Sequence, residues 1–126
     1  MININYQVEI IKQVAKLKEY NEFKDIIKEF EEVLSKNQIT QEEYNCKVNE
    51  LINKYTIEIS IISTRDIIAK QTGKSKNAES YKESLVDILI SITIIKYCEK
   101  IGKSYTLQDI NNYDFILKVL NDKNIY

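Results

Sequence analysis

The stretch Ser84–Ile101, SLVDILISITIIKYCEKI, constrains this chain most, because it is the most apolar window in it. Leu85, Ile88, Leu89, Ile92 and Ile95 recur at spacings of three and four, the pattern of one helical face. Val86, Ile90, Ile94 and Tyr97 add a second apolar face, and a helix apolar on most of its circumference has to be buried. The run is about five turns long, whereas strands average roughly 5–6 residues. Ser80-Tyr-Lys-Glu83 reads as a capping box at its start, and Gly102 stands where a left-handed stop costs least. The expectation is a central helix over about 80–101, with the rest of the chain packed around it. That makes an all-α bundle of four or five helices and a single domain over 1–126.

The remaining segments read as amphipathic helices. Ile10, Ile11, Val14 and Leu17 form one stripe, and Phe23, Ile26, Ile27, Phe30, Val33 and Leu34 form another. Leu17, Tyr20 and Phe23 join them at a three-three spacing, which requires tightened winding or a break; a break capped by Asn21 is favoured. Thr40-Gln-Glu-Glu43 is a capping box with Ile39 placed as a staple. Tyr44, Val48, Leu51, Tyr55, Ile59 and Ile62 follow at helical spacing, in a helix that could reach Gln71. Within it TIEISIIST alternates enough to read as a strand, but its flanks are helical. Gly73–Glu79 reads as a loop. Thr106 with Asp109 caps a last apolar segment, Leu107, Ile110, Phe115, Ile116, Val119 and Leu120, with a break expected near Asn111–Asn112.

Proline is absent and glycine occurs only at Gly73 and Gly102, too little turn chemistry for a many-stranded fold. Eighteen basic residues, of which Arg65 is the only Arg, balance nineteen acids to a net charge of −1. Such a balance gives no electrostatic case for nucleic acid, and Thr106–Leu120 lacks the basic second helix that a helix-turn-helix needs. Cys46 and Cys98 lie far apart without metal-ligand spacing, so two free thiols in a reducing compartment are expected. The first residues carry no signal-peptide pattern, and Asp87, Lys96 and Glu99 interrupt the central helix too often for a membrane span. The expected location is cytoplasmic.

The absence of His removes the commonest general base and its nucleophile pairs. The GKS at Gly73–Ser75 lacks the glycine that opens a P-loop. No catalytic or cofactor-binding residue is assigned. Asp87, an acid inside an apolar face, is read chiefly as a half-exposed position or a partner for a Lys or Arg65, since an unpaired charge there would be costly.

Two resemblances add to this. In EFEEVLSKNQITQEEYNCKVNELINKY, the residues Ile39, Thr40, Glu42, Glu43, Tyr44, Lys47 and Leu51 resemble a SHOCT-type helical hairpin, which implies at most an oligomerisation or docking element. Glu29-Phe-Glu-Glu32 and Glu83-Ser-Leu-Val-Asp87 look like the paired carboxylate helices of MazG-type nucleoside triphosphate pyrophosphohydrolases, although Ser84 stands where that family has a second Glu. That resemblance implies a Mg²⁺ site made of Glu29, Glu32, Glu83 and Asp87, in keeping with the preference of hard cations for oxygen.

Missing catalytic groups favour the other class, a non-enzymatic protein-binding or regulatory bundle. Its members would be immunity or inhibitor proteins, mobile-element regulators or assembly subunits. The expected partner is another protein, with room for a homodimer. Nine tyrosines, several at segment edges (Tyr6, Tyr20, Tyr81, Tyr105, Tyr113 and Tyr126), offer contact area with a polar tip.

Overall fold

A computed structural model describes residues 2–62 and 78–121. Within them the chain forms α1 (Ile2–Ala15), α2 (Lys24–Ser35), α3 (Gln41–Lys54), α4 (Thr56–Ile61), α5 (Ala78–Ile101), α6 (Leu107–Ile110) and α7 (Tyr113–Asn121), with no strand among the described residues. Five of these have nine residues or more, as an all-α bundle requires; α4 and α6 are one- to two-turn pieces.

The axis of the bundle is α5, which contacts each of the other six α-helices. From Leu85 to Cys98 every side chain is buried except Asp87 and Lys96, which are half-buried. A helix surrounded this way has no solvent face on which to place polar groups, and its buried Ser and Thr hydroxyls are satisfied inside the helix. Ser91 donates to the Asp87 carbonyl at 3.1 Å, and Thr93 donates to the Leu89 carbonyl at 2.7 Å. The helix is already formed at Ala78, so Ser80 and Glu83 lie within it and their spacing does not mark its start. Its end follows expectation. Gly102 takes φ 71°, and the amides of Gly102 and Lys103 bond back to the Glu99 and Cys98 carbonyls, a Schellman stop.

Between α1 and α2 the chain uses both devices that the stripe allows. Lys16–Glu19 and Asn21–Phe23 are 3₁₀ turns, and Tyr20 between them is extended at φ −97°, ψ 128°. A 3₁₀ helix has three residues per turn, which explains the three-three spacing: Leu17 and Phe23 remain buried in one core. The break therefore falls at Tyr20, and no side-chain cap from Asn21 is involved. Phe23 packs edge-on to Tyr97 of α5 at 6.0 Å, and Lys100 sits 4.7 Å above the Tyr20 ring while bonding Glu22 at 2.8 Å.

The stripe from Tyr44 to Ile62 is buried at every predicted position, but the helix bends midway. At Tyr55 the backbone moves to φ −119°, ψ 49°, and the Thr56 hydroxyl donates to the Ile52 carbonyl at 3.1 Å. Ile62 is extended, so helix α4 ends at Ile61; the stretch toward Gln71, Arg65 and Gly73–Asn77 lie outside the described residues. Ala78 and Glu79, read as loop, are helical. The last segment breaks where expected: Thr106 and Asp109 form a capping box, and Asn112 accepts from the Asp114 and Phe115 amides to open α7. The outliers from the predicted stripes are Leu34 and Leu107, which face solvent.

Since burial and not hydrogen bonding holds α5 in place, Leu89→Ala lowers unfolding free energy by about 2–5 kcal/mol. Thr93→Val changes it by less than about 1 kcal/mol, because the freed Leu89 carbonyl keeps its helical partner. Chemical denaturation of both variants, with equal m-values, checks the pair.

Candidate functional site

The hairpin made by α2 and α3 carries a concavity. Ser35 closes α2 by donating to the Glu32 carbonyl at 3.0 Å, and Lys36 turns the chain into an extended connection. Thr40 then opens α3. Its hydroxyl accepts from the Glu43 amide at 3.1 Å while Glu43 Oε1 accepts from the Thr40 amide at 3.1 Å. The second Glu43 oxygen takes Lys36 Nζ at 2.7 Å, so a single carboxylate ties both ends of the connection. The Lys36 bond, with the Thr40 amide and hydroxyl, holds the Glu43 carboxyl down at about 2, and the same bond raises Lys36. Lys82 of α5 donates to the Lys36 carbonyl at 2.9 Å, and Ile39 is buried beneath.

Below this clasp lies an ion cluster that sequence reasoning missed. Lys47 is buried and its Nζ meets Glu29 at 3.1 Å and Glu32 at 3.2 Å, with Lys54 farther from Glu29 at 3.9 Å. Burial pulls the Lys47 ammonium down, but its bonds to Glu29 and Glu32 and their charges outweigh it, and the net shift is upward. The only available signal was the spacing of Lys47 between Tyr44 and Val48 and Leu51, which turns it toward the buried face of α3. The Glu29–Glu32 run looks like a solvated face until α3 is placed beside it.

Glu32, Val33, Lys36, Ile39, Glu42, Glu43, Cys46, Lys47, Glu50 and Leu85 line a groove of ≈ 330 Å³ between the two helices. Its floor is nearly sealed: Val33, Ile39 and Leu85 are at most 3% exposed. The walls are therefore Cys46 and the aliphatic stems of charged residues. Both cysteines are free thiols, Cys46 exposed and Cys98 buried, and burial pushes the Cys98 thiol up to about 11.

A second polar cluster sits where α1, α5 and α7 meet. Asp87 is half-buried, and its Oδ1 accepts from the Tyr113 hydroxyl at 2.6 Å and from Gln7 Nε2 at 3.0 Å. Burial, then this bond to Asp87, pushes the Tyr113 hydroxyl well above its ordinary range. Asp87 is thus the half-exposed helix position expected of it, and among the described residues its side-chain partners are neutral donors and no Lys; Arg65 lies outside them. A small adjoining cavity of ≈ 120 Å³, lined by Asp87, Ser91, Asn111 and Tyr113 among others, has room for a few waters at about 30 Å³ each.

The four carboxylates proposed for Mg²⁺ are not gathered around one point. Glu29 and Glu32 enclose Lys47, Asp87 is tied to Tyr113 and Gln7, and Glu83 is exposed. Among the described residues no group of three or more His, Cys, Asp or Glu is placed to hold a metal ion. Nor is any helix there long and apolar enough to cross a membrane. Of the tyrosines expected at segment edges with partial exposure, Tyr81 departs: it is buried against Tyr44, with ring centroids 5.1 Å apart. Tyr20, Tyr105 and Tyr113 are half-buried, and the Tyr6 and Tyr126 side chains lie outside those described.

Two outcomes follow from this geometry. Lys47→Met leaves Glu29 buried without its main cation and destabilises by about 3–5 kcal/mol, whereas adding Glu29→Leu recovers most of the loss; a double-mutant cycle by urea unfolding measures it. Under native conditions a maleimide adds once, at Cys46, and adds twice only after denaturation, as intact mass will show.

Comparison with protein-family models, curated proteins and solved structures finds no match to this chain. The SHOCT-type and MazG-type resemblances therefore rest on the residues quoted for them.

Proposed function

We propose that this chain is a protein-binding, regulatory helical bundle of the immunity, mobile-element regulator or assembly-subunit kind, and that it presents the α2–α3 hairpin to its partner. The observation that supports this reading is the groove between those helices. It is built on two helices whose connection is capped, salt-bridged and pinned to α5, so little ordering would be needed on binding. Its volume falls at the low end of the roughly 300–1,000 Å³ usual for ligand sites. A stable protein interface needs about 1,200–2,000 Å² in total, so the partner would also cover the outer faces of α2 and α3. Exposed Cys46 as a free thiol suits a reducing, cytoplasmic setting.

The test uses the full chain as bait in lysate of its source cells, with Cys46 either free or blocked by a bulky maleimide. A partner retained in near-stoichiometric amount by the free form and lost from the blocked form is the expected result. Equal retention by both forms, or no retained protein, would overturn the proposal. So would Mg²⁺-dependent hydrolysis of nucleoside triphosphates that disappears in Asp87→Ala.

A further inference from the structure

Resting on that reading, we infer that the segment seated in the α2–α3 groove is rich in Lys or Arg, with its cationic side chains lying lengthwise in the groove. Two features of the lining carry this. The first is charge. Glu32, Glu42, Glu43 and Glu50 face Lys36 and Lys47, which leaves an excess of two acids. Both lysines are already committed, Lys36 to Glu43 and Lys47 to Glu29 and Glu32. Glu42 and Glu50 are exposed and have no cationic partner among the described residues.

The second feature is shape. An apolar anchor needs an open apolar floor, and here Val33, Ile39 and Leu85 are almost closed off. What a visitor touches is Cys46 and the methylene stems of the Glu and Lys side chains. A Lys or Arg side chain matches such a slot, because its own stem packs on methylenes while its head reaches a carboxylate. Arg fits best, since its fork can take a carboxylate with two bonds.

The spacing also sets the register. Glu42, Cys46 and Glu50 follow one another at four-residue steps along one side of α3. At a rise of 1.5 Å per residue, the two carboxylates stand about 12 Å apart along the axis. Two cations on a partner helix about seven positions apart would meet them together, each head beside one carboxylate and Cys46 between.

The probe is a fluorescent alanine-based helical peptide of about 15 residues with two Arg seven positions apart, beside versions with both Arg replaced by Leu or by Glu. Anisotropy should show the Arg peptide binding at least about ten-fold tighter than either control, and weakening as salt rises from about 50 to about 300 mM. The double variant Glu42→Gln/Glu50→Gln should lose about ten-fold in affinity at nearly unchanged melting temperature, since neither side chain holds a partner among the described residues. Bound peptide should also slow maleimide addition at Cys46. Tighter binding by the Leu peptide, unchanged affinity in the double variant, or no binding by any peptide would each overturn the inference. A Leu peptide that competes with Cys46 labelling would leave the groove as a docking site and remove only its preference for cations. Loss of the docking reading itself would show instead as lysate capture indifferent to the Cys46 block.

Discussion

A helix that is apolar on all sides cannot stand at a surface, and α5 obliges every other element to cover it. Fourteen consecutive positions, Leu85 to Cys98, are buried or half-buried, and α1 to α4, α6 and α7 each contact this one rod. The others need only one apolar stripe apiece, and their outer faces remain free for charge. The short devices in the chain fit the same demand. The 3₁₀ turns at Lys16–Glu19 and Asn21–Phe23 and the break at Asn111–Asn112 keep a stripe on the core where a straight helix would rotate it away, and the kink at Tyr55 leaves its own stripe buried.

Polar groups in such a core survive by being answered locally. Ser91 and Thr93 return their hydroxyls to carbonyls one turn back, and Asp87 takes a tyrosine and a glutamine from two neighbouring helices. The carboxylate of Asp87 thereby joins α1, α5 and α7 at one oxygen. On the helix alone this acid has the spacing of a metal ligand; in the fold it accepts hydrogen bonds from two other helices. Tyr55 is a different case: its hydroxyl is buried with no hydrogen-bond partner among the described residues, near Glu29, Asp25 and Glu58. Burial first, and those three charges after it, hold that hydroxyl well above its usual range.

On the outer side, the α2–α3 hairpin concentrates charge in two layers. Glu29 and Lys47 form the inner layer, shielded from water, where removal of one partner is costly and replacement of both need not be. Lys36 and Glu43 form the outer layer, almost half exposed, where the interaction mainly fixes the connection in one geometry. The groove lies between these layers, and its rim is acidic. That combination, more than its modest volume, supports a recognition role.

The helical class, the central position of α5, the capping boxes at Thr40 and Thr106 and the stop at Gly102 were all legible from spacing and residue type, because each depends on neighbours within about four residues in sequence. The buried stripe from Tyr44 to Ile62 was legible for the same reason, though its kink was not. The false start at Ser80 shows the limit of such local signals: a capping pattern can sit inside a helix that has already begun. The partners of charged side chains could not be read at all. Whether Glu29 faces water, a metal ion or Lys47 depends on a residue eighteen positions away that only packing brings near. Asp87 likewise meets Gln7 and Tyr113 across separations of 80 and 26 residues. Local periodicity determined which faces turn inward; the tertiary structure alone decided which charges meet, because electrostatic pairing depends on distance in space and periodicity carries no information about it.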